Sequence, residues 1–163
     1  MNERRLFLMG AVLLTLVAMC GCDRATDGRL EARTIVGVEA KGLEFTGDYE
    51  RALQQAKEES KPILVYFTAA NCVFSREMNE TTLSDPKVIE LANRFICVQI
   101  DVNSREGGRI CDQLGIVGSP TIQFLAPSGT PLQRLPQKHA ASELLFQMQA
   151  VLYSLAWHET QVR

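Results

Sequence analysis

The run "PILVYF" (62–67) constrains the fold of this chain more than any other feature. It is unbroken, apolar and of strand length, which suits a strand covered on both faces. "FICVQIDV" (95–102) reads as a second buried strand. Covering such strands takes helices, and the flanking sequence supplies them. Asp48 opens "DYERALQQAKEESK", where Tyr49, Ala52, Leu53 and Ala56 recur at helical spacing and Asp48 is placed to cap the N-terminus. From Cys72 to about Leu83 the pattern is helical, with Phe74, Met78 and Leu83 expected inward. "SDPKVIELANR" restarts a helix, with Asp85 as cap and Pro86 in the first turn. "EGGRICDQLGI" is a short helix that Gly115 can close. "GSPTIQFLAPSGTPLQRL" reads as strand, turn, strand. In "ASELLFQMQAVLYSLA", Leu144, Leu145, Met148, Val151, Leu152 and Leu155 form the inner stripe of a final amphipathic helix. The order is helix, strand, helix, strand, helix, strand, strand, helix. That predicts an α/β fold with a mixed central sheet.

The first residues stand apart from this pattern. "MNERRLFLMGAVLLTLVAMCGCDR" has Arg4 and Arg5, an apolar run from Leu6 to Met19, then small residues and cysteine. This is the layout of a secretory signal, short for a membrane span. The ending "MCGC" resembles a bacterial lipobox, and Gly21 before Cys22 makes Cys22 the expected lipid acceptor. An uncleaved N-terminal anchor is the alternative, and both place the domain outside the cytoplasm at a membrane. Residues 1–21 are thus expected to be the signal and 22–42 a polar tether, with a short strand near "RTIVGV". Residues 43–157 would be the folded domain and 158–163 a tail.

Charge and histidines narrow the function. A formal net charge of -2, with no basic stripe, gives no sign of nucleic-acid binding. His139 and His158 lie far from any cysteine cluster, which argues against a zinc site. The chemistry gathers at "FTAANCVFSREM" (67–78), where an apolar run ends in a turn and Cys72 opens a helix. A sulfur there meets unpaired backbone N–H groups and the positive end of the helix dipole, both of which favour thiolate. Arg76, four residues on, adds a positive charge on the same face, and Ser75 can donate a hydrogen bond to the thiolate. The alternative is that Cys72 is a small buried hydrophobe; its polar neighbours Asn71 and Ser75 favour reactivity.

These segments, taken in order, resemble the thioredoxin superfamily: "KPILVYFTAANC", "SDPKVIELANRF", "QIDV", "LGIVGSPTIQFL" and "SGT". The resemblance covers about residues 43 to 155. Within it the chain is similar to the secreted branch that includes the C-terminal domain of thiol:disulfide interchange proteins, and to the anterior-gradient proteins. It implies a thioredoxin fold, a mixed sheet with helices on both faces, no cofactor and no metal. It also implies that Pro120 is cis and faces Cys72, leaving the backbone of Ser119 to pair with an extended substrate.

Three departures qualify the family pattern. Ser75 stands where a redox pair has its second cysteine, Asn71 where a tryptophan usually precedes the first, and Tyr66 where many thioredoxins bury a carboxylate. That carboxylate serves proton transfer when the second cysteine attacks, so its loss agrees with the loss of that cysteine. Cys97 and Cys111 are expected to be structural, with a disulfide between them left open.

The resulting reading is a membrane-tethered monothiol protein, its partners being protein thiols or disulfides of the cell envelope. Cys72 would isomerise disulfides or remove mixed disulfides. The competing reading is a non-catalytic binding module that uses the cis-proline groove.

Overall fold

The computed structural model describes residues 43–161, with side chains as far as Trp157. Cys22, the expected signal and tether, the strand near "RTIVGV" and the side chain of His158 lie outside the described residues. Helix α1 (Tyr49–Glu59) is followed by β1 (Ile63–Thr68), α2 (Val73–Glu80), α3 (Pro86–Ala92), β2 (Ile96–Asp101) and α4 (Arg105–Leu114). Then come β3 (Thr121–Leu125), β4 (Pro131–Pro136) and α5 (Ala141–Gln161). The sheet order is β2-β1-β3-β4. β2 runs parallel to β1, while β3 is antiparallel to both β1 and β4. This is a thioredoxin fold.

All six residues of β1 are buried. Because successive side chains of a strand point to opposite faces, β1 divides the core in two. Ile63, Val65 and Phe67 pack with Tyr49, Ala52 and Ala56 of α1 and with Ile110, Cys111 and Leu114 of α4. Leu64 and Tyr66 pack on the other face with Met78 of α2, Val88 and Ala92 of α3, and Leu144, Met148 and Val151 of α5. Leu145, Leu152 and Leu155 join that cluster partly buried.

Local chemistry sets the helix ends. Asp48 accepts the Arg51 N–H at 2.9 Å and Asp85 the Lys87 N–H at 2.8 Å, each satisfying an otherwise unpaired donor. Ser104 caps α4 by accepting the Gly107 N–H at 2.9 Å, and Gly115 closes it at φ 65. Arg134 of β4 bonds the carbonyls of Leu114 and Gly115 and also Gln123 Oε1, tying the end of α4 to the sheet. That tie fixes the start of the loop leading to Ser119.

Three details differ from the sequence expectation. α2 ends at Glu80 rather than near Leu83: the hydroxyls of Thr81 and Ser84 bond the carbonyls of Glu77 and Glu80, both at 2.7 Å, and a turn follows. Phe74 is outward, at 59% exposure, because the inner face of α2 runs through Ser75 and Met78. The buried Tyr66 fills the space beneath that first turn. In addition α5 continues through Gln161, past residue 157, with no Gly or Pro in its sequence to stop it.

Gly107 shows how closely α4 packs on the end of β2. A Cβ added there would lie 1.9 Å from the Asp101 carbonyl oxygen, whereas one at Gly108 meets nothing within 4 Å. Gly107→Ala should therefore destabilise the fold by about 1–3 kcal/mol or more. Gly108→Ala should stabilise by roughly 0.5–1 kcal/mol, the ordinary helix-interior gain. Urea unfolding of both variants checks this; equal midpoints would contradict the packing described.

Candidate functional site

The turn after β1 delivers Cys72 to the start of α2. The Cys72 N–H bonds the Ala69 carbonyl at 3.0 Å, and its own carbonyl accepts the Arg76 N–H at 3.1 Å, so Cys72 is the N-cap. Its side chain makes no capping hydrogen bond, which leaves first-turn N–H groups available to an ionised sulfur. The thiol, half-buried, donates to the Ser119 carbonyl at 3.6 Å. The Ser119–Pro120 bond is cis. Residues 47 positions apart are thus in contact.

Ser75 lies beneath the sulfur. It is 2% exposed, and its Oγ is a buried polar atom with no hydrogen-bond partner. An orphaned buried hydroxyl costs on the order of 1–3 kcal/mol, and ionisation of Cys72 supplies the acceptor it lacks. Accordingly the Ser75 hydroxyl, then the Ser75 N–H, hold the Cys72 thiol below its ordinary value; burial opposes them, and the Ser119 hydroxyl and the Phe74 N–H add to them. Arg76 is exposed and lines the same cleft as Cys72, but its guanidinium is not among the groups lowering the thiol. A charge standing in water is well screened.

Tyr66 takes a role that the sequence alone did not suggest. It is fully buried and donates its hydroxyl to the Ser75 carbonyl at 3.1 Å, while its ring lies 5.8 Å from that of Phe45. Burial first, and the Cys72 charge as a lesser cause, raise its phenol, so it is neutral around pH 7. It therefore anchors the first turn of α2 instead of carrying protons. The signal was present in the sequence: a phenol inside an apolar strand needs a hydrogen-bond partner.

The other two described cysteines are apart from the site. Cys97 packs on one face of the sheet and Cys111 on the other, and both are free. Their placement on opposite faces excludes a disulfide between them. Burial pushes the Cys97 thiol up to about 12 and also raises that of Cys111, so both are protonated and unreactive at neutral pH. His139 sits at the start of α5, its ring nitrogens 2.9 Å from the Pro136 carbonyl and 3.1 Å from Glu143. Among the chain neighbours of Cys72 and Ser119, the apolar Val73, Phe74 and Val117 are 67%, 59% and 101% exposed.

The fold and the cysteine–proline pairing define a thioredoxin-type domain. A family model described as thioredoxin-like matches residues 44–127, and the chain belongs to that family. Its homologues include the thiol:disulfide interchange protein DsbD of Vibrio vulnificus, 30% identical over 87 residues. The match takes in 52% of this chain but only 15% of that longer protein. Among solved structures, a thioredoxin from Thermus thermophilus superimposes with a TM-score of 0.62 at 29% identity, over 68% of this chain and 88% of that one. The C-terminal domain of DsbD from Neisseria meningitidis, in its oxidised form, shares the fold at a TM-score of 0.56 and 22% identity, over 66% and 98%.

The site geometry predicts a pH dependence. Because the folded-state thiol is depressed, thiolate is favoured, and alkylation of Cys72 should reach half its plateau below the ~8.5 of a free cysteine. Ser75→Ala removes the largest cause and should move that midpoint upward. Iodoacetamide rates against pH, resolved by peptide mass, check both. Faster labelling of Cys97 or Cys111 than of Cys72, or an unmoved midpoint in Ser75→Ala, would contradict the assignment.

Proposed function

We propose that this protein carries out thiol–disulfide exchange with a single thiol, acting on protein disulfides or mixed disulfides outside the cytoplasm. The observation that carries the proposal is the buried, unpartnered Ser75 hydroxyl beneath Cys72. It stabilises a thiolate at the place where a dithiol enzyme holds its resolving cysteine. Cys72 Sγ attacks one sulfur of a disulfide; that bond breaks, the other sulfur leaves as a thiolate, and a mixed disulfide on Cys72 forms. With no second thiol at position 75, release needs a thiol from the substrate or from solution. This favours isomerisation and removal of mixed disulfides over net reduction by the protein alone.

Two neighbouring features support the reading. Ser119 and Pro120 would present backbone to an extended substrate, in the manner of an added strand. Val73, Phe74 and Val117 offer apolar surface for the residues flanking its sulfur. Arg76 would add charge at the rim of the site. The relatives that share this segment of sequence are thiol:disulfide interchange proteins. The tether is proposed on sequence: Cys22 would carry lipid and hold the domain at a membrane through residues 22–42.

Cys72→Ser should abolish exchange, and loss of a hundredfold or more in turnover of a disulfide-linked peptide with added thiol is expected. Full retention of partner binding and of any cellular role in Cys72→Ser would instead favour a non-catalytic binding module. Ser75→Cys supplies the missing sulfur and should form an intramolecular disulfide with Cys72 on oxidation. Its dithiol activity should be partial, because Tyr66 cannot serve as the carboxylate base. Failure of that disulfide to form would contradict the spacing assumed between positions 72 and 75.

A further inference from the structure

Cys72 stands between two unlike surfaces. On one side the sulfur meets the Ser119 carbonyl, with Pro120 next in the chain, and the chain neighbours Val73, Phe74 and Val117 are exposed apolar residues. On the other, a cleft of about 300 Å³ is lined by Cys72, Ser75, Arg76, Asn79, Gln99 and Asp101. Ser119 and Pro120 do not line it. Its volume is at the small end of small-molecule sites, roughly 300–1,000 Å³. Its wall carries one cation, one anion and two amides beside the sulfur. Among the described residues neither Arg76 nor Asp101 is ion-paired. One Asp101 oxygen accepts the Asn103 N–H at 3.0 Å, which fixes the carboxylate at the end of β2. The buried Ser75 hydroxyl, without a partner, belongs to the same lining.

A sulfur attacking a mixed disulfide meets two halves that diverge from the S–S bond. One half is a protein chain, which suits the Ser119–Pro120 segment and its exposed apolar neighbours. We propose that the polar cleft receives the other half, a small thiol of amino-acid type bearing both a carboxylate and an ammonium group. Arg76 pairs with the carboxylate, a geometry in which guanidinium excels. Asp101 pairs with the ammonium, and Asn79 and Gln99 supply amide hydrogen bonds. A neutral thiol would use neither charge. This inference rests on the exchange reading of Cys72 and adds the identity of its small-molecule partner.

The chemistry balances without a second cysteine. Cys72 thiolate attacks the small-thiol sulfur of protein–S–S–R. The protein sulfur leaves as thiolate and takes a proton from water, and Cys72–S–S–R remains with R in the cleft. A second RS⁻ attacks the sulfur of R; the bond to Cys72 Sγ breaks, RSSR departs and the Cys72 thiolate is restored. The net change is an exchange: the free small thiolate is oxidised into RSSR, the protein sulfur is released as a thiol, and the sulfur of the held R stays at the disulfide level throughout.

The test uses four disulfides against the folded protein: cystine, cystamine, 3,3′-dithiodipropionate and hydroxyethyl disulfide. Rates of Cys72 modification are normalised to those of an unstructured cysteine peptide. Cystine should exceed hydroxyethyl disulfide by about tenfold or more after normalisation, as expected for charge-assisted contacts. Within each variant, Arg76→Gln should lower the ratio for cystine and dithiodipropionate, and Asp101→Asn the ratio for cystine and cystamine. Equal normalised rates for all four, or ratios unmoved by both substitutions, would overturn the inference while leaving the exchange reading standing. A Cys72 that reacts with none of the four would overturn both.

Discussion

The hydrogen bond from Tyr66 to the Ser75 carbonyl joins the centre of the sheet to the first turn of α2, and the site depends on it. β1 is buried on both faces, so Tyr66 has little freedom, and its hydroxyl fixes the height at which α2 begins. Cys72, as N-cap, inherits that position, and Ser75 is drawn inward as part of the same turn. From the other side, Arg134 ties the end of α4 to β3 and β4 and so sets the path of the loop to Ser119. The 3.6 Å contact between Cys72 and Ser119 is the meeting point of these two supports. Neither support involves a charge buried without a partner, which is the arrangement least costly to keep in a packed interior.

A serine at position 75 changes more than the count of sulfurs. In a dithiol protein the residue there attacks, and a buried base helps it to lose a proton. Here the role proposed for the hydroxyl is to solvate the ionised sulfur, and the neighbouring tyrosine is a neutral anchor, so among the described residues of the site Cys72 is the group that would ionise during the exchange. Cys97 and Cys111, protonated within the core clusters, take no part. The proposed reaction is therefore open-ended: its second half would depend on a thiol brought from outside.

Much of this was legible in the sequence. The buried strands, the caps at Asp48 and Asp85 and the closing Gly115 were readable because each rests on a local rule of period, cap or turn. Cys72 and Ser75 were found as a pair from their spacing at a helix start. Phe74 was misread because an apolar residue in the first turn of a short helix looks inward by period alone, while the actual face is decided by Tyr66 beneath it. The separation of Cys97 from Cys111 was not readable either, since it depends on which face of the sheet each side chain takes. The Arg134 link and the cleft bounded by Arg76 and Asp101 join residues far apart in the chain, and no local pattern announces them.

In the proposed reaction Cys72 completes only half an exchange by itself. Rapid mixing of the reduced protein with a disulfide-linked peptide, quenched by acid and followed by intact mass, measures that directly. A Cys72–peptide mixed disulfide is expected to form quickly, to persist while no other thiol is present, and to collapse when a small thiol is added. A mixed disulfide that resolves spontaneously within the folded protein, or one that never forms, would contradict the proposed reaction.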